Sequence, residues 1–179
     1  MTSTPRADCR NWDDAPLADL VAHVRSACHR PLAAELEQLT ALADRVAARY
    51  GDALPMLDVL RETVAGLRAI LERHLYREDR QVFSVILNLV TAPDSDTGDR
   101  QALAATIAEM TADHDRVIDL LARMRALTSG YEPPDWACPT FRTLYDRLSL
   151  VEHGLRLHLH LENDVLFPRA LSLVDRRRT

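Results

Sequence analysis

Three stretches of this chain carry an apolar seam, counted in alternating steps of three and four residues, and each seam is interrupted at one level only. The first reads Leu57, Leu60, Val64, Leu67, Leu71, His74, Glu78. The next reads Leu103, Ile107, Met110, His114, Val117, Leu121, Met124, and the last Leu144, Leu148, Val151, Leu155, His158, Glu162, Val165. That spacing is the signature of a helix with one face turned to a core. An earlier stretch, His29, Leu32, Leu36, Leu39, Ala43, Val46, Tyr50, follows the same rule but cannot be extended backwards, because Arg25 and Ser26 fall on its line. Leu17, Leu20, Val21 and Val24 make their own amphipathic run, and Pro31 lacks the N–H that a helix interior needs, so a kink or break is expected near residues 27–31.

Turn chemistry separates these stretches at Tyr50-Gly51-Asp52, at Thr91 to Gly98 and at Ser129 to Asp135, and Pro168 is where the last helix is expected to stop. With few aromatic residues (5%), five glycines and no alternating strand pattern, the expected fold is all-α. It is an up-down-up-down four-helix bundle over residues 15–170, entered through a short N-terminal helical extension and flanked by tails at 1–14 and 171–179.

Antiparallel neighbours joined by short loops place residues at equal height when these are mirror-related about the loop. The midpoint of His29 and His74 falls between Gly51 and Asp52, that of Glu78 and His114 at Asp96, and that of His114 and His158 at Trp136. Each lies in or at the edge of a predicted turn. The polar interruptions of four seams therefore converge on one layer. Buried imidazoles and carboxylates need partners, and bound cations supply them. His74/Glu78 and His158/Glu162 each turn two donors to one helix face at i,i+4. Nitrogen and carboxylate donors suit iron, manganese or zinc, and two glutamates can bridge two metals. A lone core histidine, or a lone pair of this spacing on a surface, would carry no such weight; four at mirror positions do.

The other three histidines serve as a control. His23 points about 120° away from His29 on a common helix, and His153 and His160 lie opposite His158, so all three are expected at the surface. His160/Asp164 repeats the i,i+4 spacing but lies off the seam. The Glu-x-x-His pattern of ferritin-like carboxylate sites does not occur.

Charge and cysteines bound the rest. All 22 basic residues are arginine and the net charge is −5, which argues against nucleic acid as a partner; Arg176 to Arg178 read as a solvated tail. No run approaches the roughly 18 apolar residues of a membrane span, no signal core opens the chain, and a cytoplasmic protein is expected. Cys9, Cys28 and Cys138 form no CxxC pair and read as reduced thiols, the last two as small buried hydrophobes.

HLHLENDVLFPRA (His158 to Ala170), LTSGYEPPDWACPT (Leu127 to Thr140), HLYREDRQVF (His74 to Phe83) and MTADHD (Met110 to Asp115) carry a resemblance over residues 12–170. The chain resembles the hemerythrin-like domain of the bacterial iron-sulfur cluster repair di-iron proteins, the repair of iron centres family. The resemblance implies two non-haem irons joined as Fe–O–Fe, held by His29, His74, His114 and His158 and bridged by the carboxylates of Glu78 and Glu162. It implies a stress-response protein that handles NO or donates iron, with damaged iron-sulfur proteins as clients, NO or O₂ as ligand and an external electron donor. Three departures accompany it. Asn163 stands where oxygen-carrying hemerythrins place an aspartate, Asp79 and Ser84 replace a usual Glu and Pro, and residues 1–14, with the single Cys9, stand where the repair proteins carry a cysteine-pair domain. A stand-alone sensor or reservoir for O₂, NO or iron without turnover, and a structural bundle with an empty or zinc-filled layer, are the competing expectations.

Overall fold

The computed structural model of the chain describes residues 11–92 and 97–175, with side chains described at 11–92 and 101–173. Cys9, Arg176 to Arg178 and the centre of the Thr91–Gly98 turn lie outside the described residues. The elements run α1 (Leu17–His23), a π-helical turn π1 (Val24–His29), α2 (Arg30–Tyr50), α3 (Met56–Arg77), π2 (Glu78–Phe83), α4 (Ser84–Thr91), α5 (Thr97–Leu127), α6 (Pro139–His160), π3 (Leu161–Leu166) and α7 (Phe167–Asp175). Each π turn joins the two α segments beside it into one continuous helix, so ten elements make four long helices and no strand among the described residues. The helices pack as a four-membered ring. α2 lies on α3 and α6, α3 lies on α5, and α5 meets α7.

The irregularity expected near residues 27–31 takes the form of a π turn, Val24–His29, and not of a break, while the stop expected at Pro168 is corrected: each proline is the second residue of an α segment that follows a π turn, and the last helix continues to Asp175. In a π turn the donors reach one residue further back. The N–H of Arg30 bonds the Arg25 carbonyl, and that of Phe167 the Glu162 carbonyl, five residues upstream in both cases. The wider turn gives the proline ring the room that a regular helix denies it. The N-terminal helical extension, Leu17 to Val24, runs through the π turn into the first bundle helix, with α1 packed on α4 and π3.

All seam positions of the second, third and fourth helices are buried. They divide into two apolar cores. One lies towards the loops at Gly51 and Tyr131 and contains Leu36, Leu39, Leu67, Leu121, Phe141 and Leu148. The other lies towards the chain ends, with Leu20, Phe83, Ile86, Met110, Leu166 and Ala170. Helix by helix the boundary between them falls at Val24/Leu36, Leu71/Val82, Met110/Val117 and Leu159/Val165, which is the level at which the seams turn polar.

The loop after α5 needs left-handed backbone at Ser129 (φ 51°), Gly130 (φ 79°) and Tyr131 (φ 70°), cheap only for the glycine. Gly130 closes the helix end by bonding the Arg125 carbonyl at 2.8 Å, and the Tyr131 N–H bonds the Thr128 hydroxyl at 3.1 Å. Below it, Glu152 is 2% exposed and accepts hydrogen bonds from Arg125 at 3.1 Å and from Arg156 at 2.8 Å, beside the buried Tyr131 hydroxyl. Burial pushes this carboxyl up, but Tyr131, Arg156 and Arg125 outweigh it and hold it below the usual range.

Candidate metal centre

The six side chains expected to meet do meet, between the two apolar cores. His29 comes from the end of π1, His74 from the last turn of α3, Glu78 from the start of π2, His114 from mid-α5, His158 from the end of α6 and Glu162 from π3. None is more than 5% exposed, and both glutamates are fully buried. The structure separates the remaining histidines from this layer. His153 is exposed, and His160 is an exposed partner of Asp164 at 2.5 Å. His23 corrects the expectation of a surface position: it is half-buried, its ring 4.3 Å from that of Trp12.

Within the layer the imidazoles form two pairs. Nε2 of His29 is 3.2 Å from Nε2 of His158, and Nε2 of His74 is 3.2 Å from Nε2 of His114. Glu162 divides its carboxylate between them: Oε1 bonds His158 and lies 3.6 Å from His29, whereas Oε2 lies 3.1 Å from His114 and 3.9 Å from His74. Oε2 of Glu78 approaches the other members of the two pairs, His29 at 3.2 Å and His74 at 3.6 Å.

This donor set fits metal on three counts. Two nitrogens about 2.1 Å from one ion, with a bond angle between right and tetrahedral, lie about 3.0–3.4 Å apart, and both imidazole pairs fall within that span. Both oxygens of Glu78, Oε2 of Glu162 and Nδ1 of His29, His74 and His158 are buried without a hydrogen-bond partner, which costs free energy in a protein with nothing to satisfy them. The donors also group as two sets, His29, Glu78, His158 and Glu162, and His74, His114 and Glu162, so that Glu162 belongs to both.

The electrostatics follow from two buried carboxylates among four imidazoles. Burial, and then the neighbouring Glu162, pushes Glu78 well above the usual carboxyl range. Burial also works to raise Glu162, but His158, His114 and His29 more than reverse it and hold it well below. Burial lowers His29, yet Glu162 and Glu78 outweigh that and bring it up to about 9. His74 is lowered, by burial first. A divalent cation removes the conflict that produces these opposed shifts.

Sequence periodicity missed what stands behind the imidazoles. Phe83 stacks on His29 with ring centres 5.4 Å apart, and Phe167 on His114 at 5.7 Å. His114 Nδ1 is hydrogen-bonded to Asn163 Oδ1 at 2.8 Å. Asp79 Oδ1 lies 3.7 Å from His29 Nδ1 and accepts a bond from Arg25 at 2.8 Å, while Asp113 Oδ2 lies 4.0 Å from His74 Nδ1. The signal that would have found the first four is a repeat: His-x3-Glu-x4-Phe occurs as His74/Glu78/Phe83 and as His158/Glu162/Phe167. Cys28, beside His29, is a free thiol that burial, helped by Glu162 and Glu78, pushes up to about 12, in keeping with a small hydrophobe.

A family model described as the hemerythrin HHE cation binding domain matches residues 21–170. The chain is 32% identical over 165 residues to the iron-sulfur cluster repair protein YtfE of Pectobacterium carotovorum subsp. carotovorum, covering 92% of this chain and 71% of that protein. To the protein of the same name from Yersinia pseudotuberculosis serotype O:1b it is 34% identical over 164 residues, 90% of this chain and 69% of the relative. To the iron-sulfur cluster repair protein DnrN of Neisseria gonorrhoeae it is 30% identical over 161 residues, 90% of this chain and 96% of the relative.

Proposed function

The chain belongs to the hemerythrin HHE cation binding family, and on that premise we propose that it is a non-haem di-iron protein of the iron-sulfur cluster repair type. The observation that carries the proposal is the division of the buried layer into two donor sets sharing Glu162. In this reading His29 and His158 would hold one iron and His74 and His114 the other, with Glu78 and Glu162 as the carboxylates that would serve both. Bound there, two irons would supply a coordination position for NO or O₂ and a store of iron that can pass to an acceptor.

The chain's own residues set the conditions for that chemistry. The imidazole pairs present Nε2 atoms at one point each, Glu162 presents one oxygen to each pair, and Asn163 holds the rotation of His114 through Nδ1. Phe83, Phe167 and the two apolar cores keep bulk water from the layer. Damaged iron-sulfur proteins are the clients this reading assigns, as the relatives' names indicate, with electrons from an external donor and the cytoplasm as the place of action. No helix among the described residues is long and apolar enough to cross a membrane.

The burial of all six donors favours a second reading, a sensor or reservoir for O₂, NO or iron without turnover, because a small diatomic can enter a layer that a client protein cannot touch. Metal analysis of anaerobically purified protein, with optical spectra before and after NO, tests the first proposal. Two irons per chain and a spectrum that changes with NO are expected. Zinc, or no metal and no response, would overturn it. NO consumption followed over many turnovers with a reductant separates the readings: one equivalent bound and no further uptake leaves the sensor.

A further inference from the structure

The two halves of the layer repeat one another, with one chemical exception. Helices one and two supply His29, His74, Glu78 and Phe83; helices three and four supply His114, His158, Glu162 and Phe167 in the same order and spacing from His to Phe. Phe83 covers His29 and Phe167 covers His114, nearly parallel in both cases at 17° and 10°. By the same symmetry the residue after each glutamate faces the outer nitrogen of the covered histidine. Behind His29 it is Asp79, a carboxylate. Behind His114 it is Asn163, a neutral amide.

An oxygen at the outer nitrogen of a ligating imidazole fixes its tautomer and rotation and raises the basicity of the nitrogen that meets the metal. Asn163 does the first through a formed bond of 2.8 Å. Asp79 acts on His29 by charge across 3.7 Å, its oxygen fixed against the ring by Arg25, which offsets part of that charge and also stacks over Phe83 at 5.1 Å. The inner donors lean the same way, since the Glu78 Oε2 that reaches both sides lies 3.2 Å from His29 and 3.6 Å from His74. Behind His74 stands Asp113, its Oδ2 farther off at 4.0 Å and its other oxygen bonded by Arg116 at 2.9 Å, so the closer approaches on the His29 side leave the His114 side the poorer site.

We infer that the two cation positions are unequal, that the one held by His74, His114 and Glu162 releases its metal first, and that Asn163, set against Asp79, is the positioning residue that makes it so. This rests on the metal-binding reading above and identifies which iron would be exchangeable.

Release kinetics test it. The full chain loaded anaerobically with Fe(II) is mixed with an excess of a ferrous chelator, and the release is followed optically. Two phases of equal amplitude are expected. Asn163→Asp should slow the faster phase about tenfold or more, Asn163→Ala should quicken it, and Asp79→Asn should quicken the slower one, in line with the roughly 10–100-fold effects of such outer partners. A single phase in the unaltered protein, or a faster phase that Asn163→Asp leaves unchanged, overturns the inference. Asn163→Asp exchanges an amide nitrogen for oxygen at constant shape, so it remains informative even where the alanine variant folds poorly. If the protein retains no iron, the di-iron proposal fails by itself, and the same measurement with Co(II) still decides between equal and unequal positions.

Discussion

His158 and His160 stand two residues apart on one helix, yet the first is 2% exposed within the layer and the second has a side chain 64% exposed beside Asp164. The 3.6-residue period alone distinguishes them, which is why the six residues that meet in the buried layer could be picked from the sequence. Replacing His74 or His158 by Leu should abolish metal retention, whereas the same change at His153 or His160 should leave it intact; metal content per chain after gel filtration decides. The partners behind the donors were hidden because Asp79, Asp113 and Asn163 lie off the seams, where polar residues are ordinary. Glu152 was hidden too, since only the folded bundle brings Arg125, 27 positions away in sequence, onto it. Its carboxyl is held below its ordinary value in the folded chain, so the unfolded chain takes up its proton first as the pH falls. The stability it contributes is therefore complete above the unfolded value, about 4.3, and is lost as the pH drops through the folded one. Glu152→Gln should cost about 1–3 kcal/mol at neutral pH, because hydrogen bonds to a charged group are weakened. That difference should shrink in urea melts as the pH is taken below about 4.

The four helices were legible as elements, and the three π turns within them were not. A seam counted in threes and fours cannot register one extra residue wedged into a turn. Proline reads as a breaker when the turn before it is assumed to be regular, and Pro168 misled for that reason, whereas Pro31 marked the place of an irregular turn without revealing its kind. The π turns end or begin at the layer: π1 closes on His29, π2 opens on Glu78 and π3 carries Glu162. Widened turns commonly mark functional positions because they re-aim a side chain without ending the helix. Gln81 is an exposed residue of π2. Its deletion should return that turn to regular geometry and leave helicity by circular dichroism close to the parent, while Asp79 and Phe83 lose their places against His29. Metal affinity should then fall by about 10–100-fold, the range seen when outer partners of a ligand are disturbed. Unchanged affinity in a folded variant would show that π2 has no part in shaping the centre.

At the scale of the whole molecule, a polar layer interrupts what is otherwise one long apolar interior, and the up-down topology explains how the sequence could announce it. Mirror positions about short loops are at equal height whatever the details of packing. Which metal fills the layer is not announced, because the same donors accept several first-row ions. Stability couples to that layer in two opposed ways. The apolar cores above and below it hold the bundle without metal, and within the bare layer the unpartnered carboxylates and imidazoles are a cost. Removing one of them, as in His74→Leu, should leave the metal-free protein as stable as the parent or more so. Metal binds the folded layer and not the dispersed donors, so at a hundredfold excess over its dissociation constant it adds about 2.7 kcal/mol per site. For a chain of this size that corresponds to roughly 5–10 °C in Tm. Thermal melts of the parent and of His74→Leu, each with and without metal, should therefore cross: the parent is the more stable when loaded and the variant is equal or ahead when stripped. A chelator that leaves the parent's Tm unmoved would mean that the layer holds its shape for some purpose other than binding metal.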